Sequence, residues 1–250
     1  MAAVVTLDRL HGLLKEQGFQ STLPWSSSPA LADPPAATGI FALDAMLAGG
    51  LARGQISEIS GPLSSGCTAV ALAMVAAATQ RGEAVAYIDS TDNFHPASAE
   101  QAGVNLDRLL LVRCRWPREA WDAVNLVVGA GGFGLILLDL AGTRSRRYLQ
   151  EWQMRPWLKL KRSLENTQTT LVVAATHKGI AAHAAVARVE FRRKETRWRG
   201  RQGVSFVLGG MQTEASMAYQ RHGAPGKRNP RSEQICSLDL EAAGEHRAAG

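Results

Sequence analysis

The sequence is short of several things, and each shortage narrows the reading. Three cysteines in 250 residues, Cys67, Cys114 and Cys236, form no spaced framework. A disulfide scaffold is thereby excluded, and a reducing, cytoplasmic compartment is expected. The six histidines are scattered without ligand spacing, so no metal site is expected. No apolar run approaches the ~20 residues that span a bilayer, so no membrane partner is expected. The opening stretch MAAVVTLDRLHGLLKEQ turns to charge at once, unlike a signal peptide or an anchor. Internal repeats are absent. What remains, 46% hydrophobic and 20% charged residues, describes a globular chain of about one domain.

The net charge is +6 and unevenly spread. Residues 1–140 hold no cationic cluster, with 8 Lys and Arg against 13 Asp and Glu. Arg144, Arg146, Arg147, Arg155, Lys159, Lys161 and Arg162 form one basic group. Arg188, Arg192, Arg193, Lys194, Arg197, Arg199 and Arg201 form a second, and Arg221, Lys227, Arg228 and Arg231 a third. Most such runs are solvated faces, but this balance permits non-specific contact with DNA. Trp152, Trp157 and Trp198 lie among these cations, where they could stack on bases or simply pack.

Gly61-Pro62-Leu63-Ser64-Ser65-Gly66-Cys67-Thr68 has the outline of a phosphate-binding loop, G-x-x-x-x-G-K-[ST], except that Cys67 stands at the lysine. Such a loop wraps backbone N–H groups around phosphates, while its lysine neutralises them and its Ser/Thr holds Mg²⁺. The cradle and Thr68 are present; the fixed cation is missing. Some 70 residues on, LILLDL puts Asp139 at the carboxyl end of an apolar strand, where a metal-side carboxylate belongs. The plainer alternative is a Gly-rich turn beside an ordinary buried strand. Cys67 also has two readings: a small filler, or a redox-responsive thiol lowered in pKa by the helix N-terminus.

Along the chain, residues 5–17 read as an amphipathic helix with Leu7, Leu10 and Leu14 on one face. It forms an arm, 1–20, joined by a Ser/Pro-rich linker, 21–37. The arm folds back on its own core or reaches a neighbour. From residue 38 to 210, short apolar strands alternate with helices: 55–60, 67–80, 84–89, 96–102, 109–113, 117–128, 133–139, 147–164 and 169–176. That alternation predicts an α/β domain with a central, mostly parallel sheet. Two alternating segments, 186–193 and 203–208, predict an antiparallel edge pair. Residues 211–250 carry many breakers and read as a flexible basic tail.

Thr38-Gly39-Ile40, Leu43-Asp44, Gly49-Gly50-Leu51, Gly54-Gln55-Ile56 and Glu58-Ile59 precede GPLSSGCT, and Tyr87-Ile88-Asp89, Pro96, Gly103-Val104 and Leu109-Leu110 follow it. That order resembles the core of the RecA recombinases over roughly residues 38–178. AGGFGLILLDL, with Ala99-Glu100-Gln101-Ala102-Gly103 and Leu110-Leu111-Val112-Arg113, is similar in particular to the ImuA group. ImuA proteins are RecA-like partners of an inactive Y-family polymerase homologue and an error-prone replicative polymerase in mutagenesis cassettes, and the chain length also suits that group.

The resemblance implies a RecA-like core and a nucleotide site at Gly61, Ser64, Ser65, Gly66, Cys67, Thr68 and Asp139. Against that pattern, Thr91 stands at the water-activating glutamate, Ser98 at the adenine-stacking tyrosine and His177 at the phosphate-sensing glutamine. Losing neutralisation and water activation together should abolish hydrolysis, because phosphoryl transfer is positioning and electrostatics. The expectation is a vestigial site with no catalytic residue and no required cofactor, leaving weak Mg-ATP binding open.

The implied role is an accessory protein of translesion synthesis in the bacterial nucleoid. It would bind an ImuB-type polymerase homologue, with RecA, a second copy and DNA as further candidate partners. Candidate DNA contacts are Arg144, Arg146, Arg147, Arg155, Arg192, Arg193, Lys194 and Arg197. Leu7, Leu10 and Leu14 are the candidates for partner docking or self-association. The alternatives are an active RecA-type DNA-dependent ATPase and a SulA-like inhibitor of cell division.

Overall fold

The computed structural model describes residues 3–16, 34–141, 154–181, 184–201, 205–220 and 234–241. In chain order the elements are β1 (Ala3–Thr6), α1 (Leu7–Glu16), α2 (Phe41–Met46), β2 (Ile56–Ser60), α3 (Cys67–Gln80), β3 (Val85–Asp89) and α4 (Pro96–Gln101). β4 (Leu109–Arg113), α5 (Pro117–Ala130), β5 (Leu135–Leu140), α6 (Met154–Leu164) and β6 (Thr170–Ala175) follow. The remaining strands are β7 (Ala187–Arg201), β8 (Ser205–Gln220) and β9 (Ile235–Glu241).

β2, β3, β5 and β6 are buried at every position, as strands covered on both faces must be. They sit inside one nine-stranded sheet of order β1-β4-β3-β5-β6-β2-β7-β8-β9. Pairing is parallel from β1 through β7 and antiparallel for β7–β8 and β8–β9. The two-residue period sorts their side chains. Ile59, Tyr87, Leu137 and Val172 join Leu43, Val70 and Met74 in one core layer. Ile56, Ile88, Leu138 and Val173 join Leu10, Val124, Trp157 and Leu160 in the other. The α/β core with a mostly parallel sheet and an antiparallel edge therefore stands.

Both ends of the chain depart from expectation. The N-terminal arm is strand and then helix: β1 pairs in parallel with β4, and Leu10 is buried in the second layer with Leu7 packed against it. Leu10 is thus a core residue and not a free docking contact, and the Leu14 side chain lies outside the described residues. At the other end, the flexible tail expected from residue 211 is corrected, because β8 runs to Gln220 and β9 completes the sheet. The inward positions there are Thr213, Ala215, Met217 and Leu238. Small and polar residues carry half of that pattern, so a search for large apolar side chains misses it. The long helix expected from 147 is described from Met154 onward. Of the linker, residues 21–33 lie outside the described residues, and Ala36 already bridges to Leu51.

Candidate functional site

The loop between β2 and α3 lies at the carboxyl end of the strands, beside the point where β2 separates β6 from β7, the usual ligand side of an open α/β sheet. Gly66 caps α3 in the left-handed region at φ 91, with no side-chain cap. Ser65 and Cys67 are buried and Thr68 is exposed on the first turn. The C-terminal strands lie directly against this loop. A Cβ on Gly66 would stand 2.6 Å from Leu240 Cδ1 and 2.8 Å from Thr213 Oγ1. Thr213 Oγ1 donates to the Ser65 carbonyl at 2.9 Å. Gly61 is equally confined, since its Cβ would meet the Phe191 carbonyl at 2.6 Å. Glycine is required at both positions by neighbouring strands of the same chain.

Burial, with the Asp139 charge adding to it, pushes the Cys67 thiol up to about 12. Buried and shifted in that direction, the thiol lacks the exposed thiolate character that a redox-responsive cysteine needs, which favours the filler. Asp139 is itself buried, and burial raises its pKa although two hydrogen bonds work the other way. Tyr87 Oη donates to Asp139 Oδ2 at 2.5 Å, and the Ala141 N–H to Oδ1 at 2.9 Å. Both oxygens of the expected metal-side carboxylate are therefore tied down within the fold. Tyr87 is held well above its ordinary value by burial and by Asp139.

The neighbouring loop is ordered by Asp89, which is fully buried. Asp89 accepts from the N–H groups of Thr91, Asn93 and Phe94 and from the Thr91 hydroxyl. Asp92, next to the glutamate position, takes φ 56 and pairs with Arg113 instead. Ser98 lies in the first turn of α4, its N–H capped by His95. His177 is exposed, and Lys178 Nζ is 3.5 Å from Glu190 Oε2. Among the described residues, no group of three or more His, Cys, Asp or Glu is gathered to hold a metal ion.

The DNA-contact candidates divide. Arg144, Arg146 and Arg147 lie outside the described residues, and Arg155 is placed only as a position on α6. Arg192, Arg193, Lys194 and Arg197 are exposed on β7. Trp157 is buried and meets Trp121 edge to face at 5.0 Å, so it packs; Trp198 is 52% exposed. Sequence reasoning gave no role to three groups: Tyr87, Thr213 and Glu58. Glu58, fully buried in β2, accepts from the N–H groups of Gly179 and Ala181 and lies 3.4 Å from Arg188. A glutamate inside the apolar run ISEIS was the available signal, since a buried charge must find partners.

Sheet order, the glycine turn at the end of β2 and the apolar β5 ending on Asp139 define a P-loop-type α/β protein. The chain belongs to the RecA family: the RecA N-terminal domain model matches residues 12–150. It is 41% identical over 103 residues to the RecA protein of Lactobacillus delbrueckii subsp. bulgaricus, covering 41% of this chain and 31% of that one. With the RecA protein of Desulfotalea psychrophila it shares 36% over 126 residues, 50% of this chain and 36% of the other. The chain thus spans about a third of the length of these curated relatives. A crystal structure of the RadB recombinase is similar in fold, with TM-score 0.58 at 18% identity, covering 81% of this chain and 94% of that one.

Proposed function

We propose that this chain is a non-enzymatic, ImuA-type accessory protein of damage-induced translesion synthesis. It uses its RecA core to hold a Y-family polymerase homologue at the nucleoid. RecA and a second copy are further partners within this reading. The observation that carries it is the engagement of Asp139 by Tyr87 and the Ala141 N–H beside a neutral Cys67. A Mg-nucleotide needs a cation at the loop and a carboxylate free to orient the metal shell. The residues present do not fit that group: the cation position holds an uncharged thiol, the carboxylate is spent on a tyrosine, and Thr91 replaces the base. The resemblance of AGGFGLILLDL to the ImuA group supports the more particular role.

The test is co-purification of the full chain with the cassette's polymerase homologue, with and without Mg-ATP, alongside a phosphate-release assay. Stable capture that is indifferent to nucleotide, with no turnover, is expected. Turnover abolished by both Thr68→Ala and Asp139→Ala would replace this reading with that of an active ATPase.

A further inference from the structure

Trp116, at the turn from β4 into α5, is 64% exposed, although an indole normally hides most of its surface. Its side chain makes no ring contact or hydrogen bond among the described residues. The turn that carries it is held on both sides. Before it, Cys114 is buried and its N–H donates to the Asp89 carbonyl at 2.8 Å. Arg113 donates to the Phe94 carbonyl at 3.0 Å and pairs with Asp92. After it, Pro117 opens α5, and Glu119 Oε2 accepts from the Arg115 N–H at 2.7 Å. An indole displayed on an ordered turn loses little conformational freedom on contact. Arg115 and Arg118 flank it; both are exposed, and neither makes an ion pair among the described residues. Tryptophan and arginine are the residues most enriched at the energetic centres of protein interfaces. Sheet order keeps this surface apart from the others. β4 lies four strands from β2, roughly 19 Å, and β7 lies beyond β2, so neither the glycine loop nor the second basic group belongs to it.

We propose that Trp116, Arg115 and Arg118 form a docking point for an acidic segment of a partner protein. The segment lays an apolar side chain on the indole and sets carboxylates on the two guanidinium groups. Arginine takes a carboxylate through two parallel N–H bonds, and the indole adds apolar contact area. Charge decides against a nucleic acid here. The chain up to residue 140 carries 8 Lys and Arg against 13 Asp and Glu. Exposed carboxylates also surround the point. Asp92 sits beside Arg113, and Asp122 lies one turn along α5 from Arg118. Asp8 comes just past Thr6, which pairs with Arg113. A phosphate backbone brings a charge at every step and would run against these carboxylates; an acidic segment needs only two, spaced to meet Arg115 and Arg118. This inference stands apart from the polymerase-partner reading: peptide binding and capture of that homologue can each fail with the other intact.

The experiment titrates the full chain with a synthetic acidic peptide of ~12 residues, Leu-Phe set among Asp and Glu. Binding is followed through the indole N–H signals by nuclear magnetic resonance, the Trp116 signal being assigned by its loss in Trp116→Phe. We expect that signal to move saturably. A counterpart peptide with Asn and Gln for the acids should bind at least about fivefold more weakly. By anisotropy of the labelled peptide, Trp116→Ala should weaken binding at least about fivefold. Arg115→Ala/Arg118→Ala should weaken it at least about twofold, and the corresponding lysine pair less. The three side chains are exposed, so thermal melting should not change; where an alanine variant melts early, the lysine pair and the neutral peptide carry the test. No movement of the Trp116 signal at millimolar peptide overturns the proposal. So does equal binding of the neutral peptide, or an affinity indifferent to both alanine variants. An oligothymidine of matched charge that moves the Trp116 signal at lower concentration than the peptide would replace the protein segment with a nucleic acid.

Discussion

At the scale of single residues, the loop behaves as a packed turn. Gly66→Ala should destabilise the chain by about 1–3 kcal/mol, because a side chain at φ 91 is strained and meets Leu240 and Thr213. Urea unfolding measures this, and Leu240→Ala should recover the steric part but not the backbone part. Tyr87→Phe removes the donor to Asp139 Oδ2 and should cost about 1–3 kcal/mol. The sign with pH follows because burial raises the pKa of Asp139 and the Tyr87 hydrogen bond works against that rise, so losing the bond raises it further. A group raised on folding contributes most when protonated, and that contribution fades as pH climbs through the folded value. Tyr87→Phe should therefore hurt more at neutral than at acid pH; an identical loss at both would contradict the assignment. The thiols give a simpler readout. Burial pushes Cys67 and Cys114 up to about 12, while Cys236 is only partly buried. In the native protein at pH 8, Cys236 should react first with a thiol reagent, and Cys67 only on unfolding. Cys67→Lys should not create turnover, since Thr91 and the tied Asp139 remain; phosphate release is the assay.

At the scale of elements, the two chain ends carry more of the fold than their composition suggests. β9 brings Leu238 into the core layer shared with α2 and α3, so Leu238→Ala should cost about 2–4 kcal/mol in denaturant unfolding. A cost near zero would mean that β9 is dispensable. Leu10 joins the opposite layer. Deleting residues 1–20 should therefore lower stability directly, and any partner-binding defect in that truncation must be separated from it by comparing melting temperatures. The central elements were legible beforehand because each satisfies a local rule. β4 and α3 begin and end where the pattern places them, since a buried strand needs an unbroken apolar run and an Ala-rich helix stops at Gly82. β8 beyond Met211 was not legible. Its inward residues include Thr213, whose burial is made tolerable by a hydrogen bond to Ser65, a contact that no local pattern announces.

For the molecule as a whole, the sequence by itself determined the class of fold and the family frame. Glycines at turns, short apolar strands alternating with helices, and a strand ending on Asp139 are local signals, and local signals survive in one dimension. It also showed that Cys67 stands where a phosphate-binding loop carries lysine. Only the tertiary structure decided what became of the groups that remain. Tyr87 meets Asp139 across 52 residues of sequence, and Thr213 meets Ser65 across 148. Both contacts depend on which strands lie side by side, which sheet order sets. The same holds for the second basic group: in sequence it is a run of arginines, and in the fold it lies along one strand of a ribbon whose distal part no third strand flanks among the described residues. GPLSSGCT has the spelling of a nucleotide loop, and the strands packed against it make it a close-packed turn.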